Sequence, residues 1–577
     1  MRKMRWVLSM LAILSLTLGA VAVVRGDESP FPAAHAELLS GAAYDALFGE
    51  AYTSIDAAQA AISNVGQALS SLSGWEIEHV VVGPNIRVNA EQAPAPAGLL
   101  GRSETSIAAS ADGHKLVAGW NDAQGFCGPP FGAACTPQTP PGLSGYGYSA
   151  DGGMTWTDGG GPNQFAGELT RGDPWMDRGG KDRKTFFYAN LAVDATTGAG
   201  LGISVHRGHF TGATFAWENV RLFNSHNPND FYDKEAIAVD KRGWGVGYVS
   251  LTNFIELCGQ PAFGFGQIEV WRTKDGGNTW LGPAIAGPDL TDITDPADPN
   301  CGLSGVLLQS SVPAIGPRGE VYVVWQRGPT FNLDGTTSTD ADIVVARSLD
   351  GGVHFDPPVK VADINSMRQN PPVGYNRSRI NDHPRIAVVQ SGGHRCAIYV
   401  VFASAVAPVA AGSTTQSLVS SDVYISYSED RGLTWSTPQP VAPPVPDTGV
   451  KRFWPVVNVE GEANVYVTYY ESRETQATPD PLDEECNISI GGGLRRRGPN
   501  SSLVDTYLAR SHTATWTWEP PVKVSTATSN WCTTLTSIRP NFGDYIDSAN
   551  IGSHVFPFWA DGRNGVPDAF VSNVEIK

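Results

Sequence analysis

The chain lacks most of the features that would give its chemistry away. Only 17% of its 577 residues are charged, and Lys plus Arg total 40 against 58 Asp plus Glu, for a formal charge of −18. It has no long basic run apart from the short Arg495-Arg496-Arg497, which reads as a solvated loop tip. Nucleic acid is therefore excluded as the expected partner, because phosphate backbones are held by clustered cations. No HExxH, no Gly-x-Ser-x-Gly and no phosphate-cradling glycine loop stands in a suitable context. Cysteine is scarce, at seven, and none shows the CxxC spacing of a zinc site. Beyond the amino terminus no apolar run reaches the ~18 residues that a membrane span needs.

What is present points outward from the cell. Arg2, Lys3 and Arg5 precede an apolar run from Trp6 to Leu18, and Ala20-Val21-Ala22 supplies small residues for cleavage. Residues 1–22 are read as a signal peptide, with an uncleaved anchor as the alternative. The expectation is a secreted protein, extracellular or periplasmic, with no membrane span once the signal is removed. Aromatics at 10% and hydrophobics at 41% allow a large core. The 64 glycines and 41 prolines mark many turns but stay below the ~25–30% of low-complexity sequence.

Residues 23–75 form their own region. Leu38, Leu39, Tyr44, Leu47, Phe48, Tyr52, Ile55, Ala58 and Ile62 recur at three- and four-residue steps, the period of an amphipathic helix. A helical segment packed on the flank of the main domain is expected, with a propeptide or docking arm as the alternative.

Internal repetition decides the architecture. Four segments follow Ser/Thr-x-Asp-x-Gly-x-Thr-Trp: Ser149 to Trp156, Thr273 to Trp280, Ser428 to Trp435, and the degenerate Ser348 to Phe355. In each, Asp can accept from nearby backbone amides, Gly can take a positive φ and the aromatic can pack back between strands. Each octet belongs to a longer unit of four strands, clearest where Val312–Ile315, Val321–Trp325, Asp342–Ala346 and Val359–Val361 surround the box.

These octets are the Asp-box, or bacterial neuraminidase repeat, and over roughly residues 100–577 the chain resembles the sialidase-like β-propeller superfamily. The resemblance implies an all-β fold. Counting units gives a seven-bladed propeller over residues 76–577, with six blades, the number in true sialidases, as the alternative. The last unit has three visible strands. Residues 76–95, containing His79–Val82 and Asn85–Asn89, are expected to supply the fourth and close the ring.

Blade topology sorts residues by face. Loops between second and third strands share a face with the links between blades, and all the long insertions fall there. Starts of first strands and ends of second strands should point into a central funnel on this face. The candidate substrate-binding residues are Arg102, Arg452, Arg539, Asp173, Asp233, Lys234, His383 and Asp544. Arg can hold a sugar carboxylate in a bidentate fork, and a carboxylic acid can protonate a glycosidic oxygen. Carried over from sialidases, the roles would be Asp122 as acid/base, Tyr545 as nucleophile with Glu471 as its base, and Arg102, Arg452 and Arg539 as the clamp. The motif match is incomplete, because Arg102-Ser103-Glu104 stands where the family has an Arg-Ile-Pro-like sequence.

Three functions are compatible with this reading: a sialidase-type exo-glycosidase removing a terminal acidic sugar, a non-catalytic propeller binding glycan or protein at a cell surface, and a polysaccharide lyase using His383 or Tyr545. Each of these candidate residues also has a purely structural reading, as an ion pair or a tie between blades. The loop positions of the cysteines suggest the bridges Cys127–Cys135, Cys258–Cys301 and Cys486–Cys532, with Cys396 in a strand as the odd thiol. No cofactor is expected. Asp289, Asp292, Asp295 and Asp298 either hold a structural Ca²⁺ or form a solvated loop.

Overall fold

The computed structural model describes residues 80–93, 98–130, 133, 135–224, 230–258, 266–338, 340–377, 379–389, 397–409, 419–445, 449–461, 464–475, 488–490, 494–496, 501–512 and 517–577. The expected signal peptide (1–22) and helical segment (23–75) lie outside them. Within them the chain is all-β, and the one helical element is the 3₁₀ turn Ala123–Phe126.

Seven inner strands form a closed ring: Arg102–Ala109, Trp175–Gly179, Phe231–Val239, Gly305–Ile315, Arg385–Val388, Val450–Glu460 and Asp547–Ile551. Each packs against the next, and the last packs against the first. The expectation of seven separate blades, or six, needs correction. Five sheets of four or five strands stand apart, and the inner strands Arg385–Val388 and Val450–Glu460 share one ten-stranded sheet. The cause is local: Ser421 and Lys451 form a single parallel bridge that joins two otherwise antiparallel stacks. A further pair, Ile488–Ile490 with Leu494–Arg496, stands alone.

The strand Val80–Arg87 pairs antiparallel with Asp568–Ile576, from Val80↔Ile576 to Arg87↔Phe570, so the first described strand lies on the outer edge of the last sheet. Pairing covers the backbone donors and acceptors along Asp568–Ile576, which would otherwise invite aggregation. Between blades the core is aromatic and branched, with Trp120, Trp325, Trp454, Trp531 and Trp559 fully buried.

The four octets sit between third and fourth strands, and each Asp organises its turn. Asp151 accepts from Ser149 Oγ (2.8 Å), Thr155 N (2.9 Å) and Thr155 Oγ1 (2.5 Å). Asp275, Asp350 and Asp430 repeat the pattern with their own neighbours. Two glycines with φ of 75° and 86°, Gly152 and Gly153, supply the left-handed step. These turns touch the hairpins after the inner strands: Gly152 N donates to His114 O and Gly276 N to Gly245 O, each at 2.8 Å. That contact fixes which face of the ring is which.

On the opposite face, Cys127–Cys135 and Cys258–Cys301 are disulfide-bonded. Cys532 is disulfide-bonded as well, while its expected partner Cys486 and the expected free thiol Cys396 lie outside the described residues. A long connector, described over residues 366–377 and 379–384, crosses this face from the fourth blade toward the last. Val373 N donates to Glu474 (2.9 Å), Asn376 and Asn541 exchange hydrogen bonds, and Tyr375 OH donates to Gly543 O (2.8 Å).

Candidate functional site

The inner strands are not regular. Four carry a bulge at the same point: between Ser103 and Ser106, Asp233 and Ala236, Gln309 and Val312, and Phe453 and Val456. In each, one non-glycine residue takes a left-handed conformation: Glu104 (φ 49°), Lys234 (52°), Ser310 (64°) and Trp454 (48°). Asp173 (55°) does the same just before Trp175–Gly179. Such conformations cost of order 1–3 kcal/mol each and persist only where packing over-determines them. His383 and Tyr545 hold the matching positions of the two remaining inner strands. None of these seven side chains is more than 3% exposed.

The bulges bring a charge cluster together near the ring axis. Lys234 Nζ lies 3.2 Å from Glu104, 3.4 Å from Asp173 and 3.0 Å from Asp544. It also sits 5.1 Å from the Tyr545 ring centroid. Arg377 Nη1 reaches Asp544 at 3.2 Å and Tyr375 OH reaches it at 3.0 Å. Three carboxylates and one ammonium cannot all be charged at low cost in this buried site. Burial, then the Glu104 charge, pushes Asp173 well above the usual carboxylate range. Burial also acts to raise Asp544, but Lys234, Arg377 and Arg379 together outweigh it and hold Asp544 low. The two acids on one ammonium are thus shifted in opposite directions.

Around this cluster sit His383, Tyr545, Trp175 and Arg385. The His383 ring packs against Tyr545 (5.3 Å between centroids) and Trp175 (6.3 Å), and neither ring nitrogen has a hydrogen-bond partner. Burial, then Arg385 and Lys234, keeps His383 neutral by holding its pKa well below the usual value. Tyr545 OH donates to Pro174 O at 2.8 Å. Burial, with Glu104, Asp173 and Glu235 nearby, raises its phenol far above the ordinary value.

Of the residues singled out from the sequence, Asp173, Lys234, Asp544, His383 and Tyr545 meet at this centre. Asp233 is one residue from it and accepts from Gln309 Nε2 at 2.9 Å. The others lie elsewhere. Arg102 pairs with Asp122 across its own hairpin at 2.9 Å. Arg452 pairs with Glu471 at the equivalent register of another blade, also at 2.9 Å. Glu471 bonds Arg473 as well (2.7 Å), and Arg452 also reaches Asp422 (3.0 Å). The same Arg–carboxylate pair at one register in two blades is the mark of a repeated structural tie. Tyr545 and Glu471 have different partners. Asp122 is nonetheless raised to about 6 by burial, opposed by Arg102. Arg539 is half-buried on the stretch leading to Asp544.

The connector contributes residues that the sequence reading did not single out: Tyr375, Arg377 and Arg379. Arg379 is 1% exposed, donates to Asn381, and leaves Nε and Nη2 without partners. Burial, then Arg377 and Arg368, pulls its pKa well down. Three arginines within the twelve residues 368–379 were the available signal. No group of three or more His, Cys, Asp or Glu placed to hold a metal occurs among the described residues. In the acidic stretch Asp289, Asp295 and Asp298 cap local turns through Thr291, Ala297 and Asn300.

No family model matches the chain, and no curated protein matches it. Among solved structures it is similar to the α-L-arabinofuranosidase of Fusarium graminearum in complex with arabinobiose, at 13% identity and a TM-score of 0.39, over 68% of this chain and 92% of that one. A protein of unknown function from Dyadobacter fermentans aligns at 14% identity and a TM-score of 0.38, over 75% of this chain and 99% of that one. The Trypanosoma rangeli sialidase in complex with sialic acid aligns at 10% identity and a TM-score of 0.37, over 74% of this chain and 58% of that one.

Proposed function

We propose that the protein is an exported propeller that hydrolyses glycans, with its chemistry at the ring centre on the long-loop face. One observation carries this reading: the buried carboxylates of Asp173 and Asp544 both face the Lys234 ammonium, at 3.4 and 3.0 Å, in surroundings that shift the first up and the second down. Two acids pushed apart in this way match the division of labour in glycoside hydrolysis, one donating a proton to the leaving oxygen and the other acting as an ionised partner. Asp173 is assigned as the acid and Asp544 as the carboxylate. Arg377 and Arg379 supply positive charge beside them, which suits a terminal acidic sugar and hence a sialidase-type exo-glycosidase. The connector closes over Asp544 through Tyr375 and Arg377, so substrate reaches the pair only when the connector lifts. The disulfides fit an exported chain, and no helix among the described residues is long and apolar enough to cross a membrane.

The set carried over from sialidases, Asp122 with Glu471 and Tyr545, remains the rival assignment within the same activity. Wild-type enzyme is to be incubated with aryl glycosides of sialic and uronic acids, beside Asp173→Asn, Asp544→Asn, Asp122→Asn and Tyr545→Phe. Aryl release abolished in the first two variants supports the assignment here. Release lost only in the last two supports the rival. Ultraviolet absorbance from an unsaturated product on a uronate polymer would instead indicate a lyase, consistent with the neutral His383 beside Tyr545.

A second reading, a non-catalytic propeller binding glycan or protein, is favoured by the closure itself: every polar group at the centre is buried under the connector. No product across the panel, with glycan-array binding retained, would establish it.

A further inference from the structure

Beneath the charge cluster the ring is hollow. A cavity of about 410 Å³ runs along the axis and is lined by all seven inner strands. Its mouth lies among Lys241, Glu460, Gly461 and Ile551, at or just beyond the ends of inner strands and therefore on the face of the octet turns. Its inner end stops at Trp175 and Arg385, directly under the buried bulge residues. The cavity is blind, and it opens on the side away from the long loops.

Three polar side-chain atoms in its lining are buried and have no hydrogen-bond partner: Arg385 Nη1, Asn458 Oδ1 and Ser548 Oγ. The remaining groups of these side chains are already committed. Arg385 Nη2 donates to Ile546 O at 2.7 Å, and its guanidinium stacks 3.9 Å from the Trp175 ring centroid. Asn458 Nδ2 donates to Ser548 O at 2.9 Å. Arg385 is 4% exposed and Ser548 5% exposed, so neither is simply solvated surface. Buried donors and acceptors in native proteins are normally satisfied. A cavity with one unpaired donor, one unpaired acceptor, one hydroxyl and an aromatic wall offers complementary partners to a ligand that both donates and accepts.

The charge of the lining narrows the choice. Arg178, Lys241 and Arg385 are matched by Asp177, Glu460 and Asp547. Lys241 is paired with Asp177 at 3.0 Å, and Asp547 accepts from Ser106 Oγ (2.7 Å) and Ile107 N (3.0 Å). An anion would find no net attraction, and a carboxylate has no hydrogen to give Asn458 Oδ1. A polyhydroxylated neutral ligand answers all three atoms: its oxygens accept from Arg385 and Ser548, and a hydroxyl donates to Asn458. The volume lies in the range of small-ligand pockets. We infer that the blind axial cavity is a binding site for a neutral monosaccharide unit, entered from the octet-turn face and separate from the centre described above.

The test uses the full chain and saturation-transfer NMR with three probes: D-galactose, D-glucuronate and cyclohexylmethanol. Galactose is expected to bind more tightly than either of the others. Ser548→Ala should weaken it by about threefold to tenfold, the loss of one neutral hydrogen bond. Ala387→Phe, which fills the cavity without removing a polar group, should abolish transfer while thermal unfolding shows the variant folded. Three results would overturn the inference: no transfer to galactose, meaning that ordered water alone fills the cavity; preference for glucuronate; or galactose binding that survives Ala387→Phe, which would place the sugar on another face.

Discussion

Asp173→Asn should make the protein more stable, and increasingly so as pH rises. Lys234 Nζ faces Glu104, Asp173 and Asp544 within 3.4 Å, all at most 2% exposed. Folding favours the protonated form of Asp173, because burial and the Glu104 charge raise its pKa well above the value of about 3.9 that an unfolded chain shows. Below about pH 4 both states carry the proton and nothing is lost. Above it the unfolded chain releases the proton and the folded chain does not, so wild-type stability falls by about 1.4 kcal/mol per pH unit until the folded pKa is reached. Asp544 works in the other direction: its depressed pKa contributes stability above about pH 4 that is lost on acidification. The groups that lower it, Lys234, Arg377 and Arg379, are unchanged in the variant. An asparagine reproduces the shape of the protonated acid and can still donate to Glu104. Urea denaturation followed by tryptophan fluorescence at pH 4.5 and 6.5 should therefore show the gap moving in the variant's favour at the higher pH. A gap that does not change with pH, or one that moves toward wild type, would show that Asp173 is ionised in the fold. The same substitution removes the proton that the proposed reaction needs, so gained stability and lost turnover should appear together, as happens at destabilised active sites.

Lys234→Met leaves Glu104, Asp173 and Asp544 without their shared ammonium and should cost about 3–5 kcal/mol near pH 7, measured by the same denaturation; the loss should shrink on acidification as Asp544 takes up a proton. Peptide mapping under non-reducing conditions should recover Cys127–Cys135 and Cys258–Cys301, pair Cys532 with Cys486, and find Cys396 as a thiol; a bridge to Cys396 would refute the last two assignments. Deleting residues 1–93 exposes the edge of Asp568–Ile576 and should give an aggregating product by light scattering, whereas a monomer of unchanged melting temperature would show that the edge needs no cover.

The architecture was legible because it is written in repeats. An octet such as Thr273 to Trp280 carries its own turn: the Asp275 carboxylate, the two glycines and the hydroxyls of Thr273 and Thr279 form a closed hydrogen-bond set needing no distant partner. The separateness of the sheets was not legible, since the bridge that fuses two of them depends on where Ser421 and Lys451 meet in space. The loop cysteines were placed correctly for two bridges: Cys127 and Cys135 lie eight residues apart, and Cys258 and Cys301 lie in connections that share a face and bring their Cα atoms to 5.9 Å.

The centre was legible in its membership but not in its state. Starts of inner strands do converge, and Asp173, Lys234, His383, Asp544 and Tyr545 were drawn from that rule. The rule treats each side chain as facing an open funnel. It could not include the bulge, because a left-handed Glu104 or Lys234 has no sequence signature when the residue is not glycine. It could not include the cover either, because residues 366–384 have no apolar period and read as an ordinary link between blades. With the bulge, carboxylates from separate blades are pressed onto one ammonium; with the cover, they are kept from solvent. Both effects strengthen the interactions among the charges, and it is their combination that shifts Asp173 and Asp544 in opposite directions. Exposed Asp and Lys at these positions would have been an ordinary polar rim. The acid–base asymmetry on which the proposed chemistry rests is therefore a property of the connector as much as of the blades. Loosening the connector by Tyr375→Phe, which deletes the hydroxyl bonded to Gly543 O and Asp544, should raise the rate of aryl release if lifting limits turnover, and should lower it if the connector is needed only to hold Asp544 ionised.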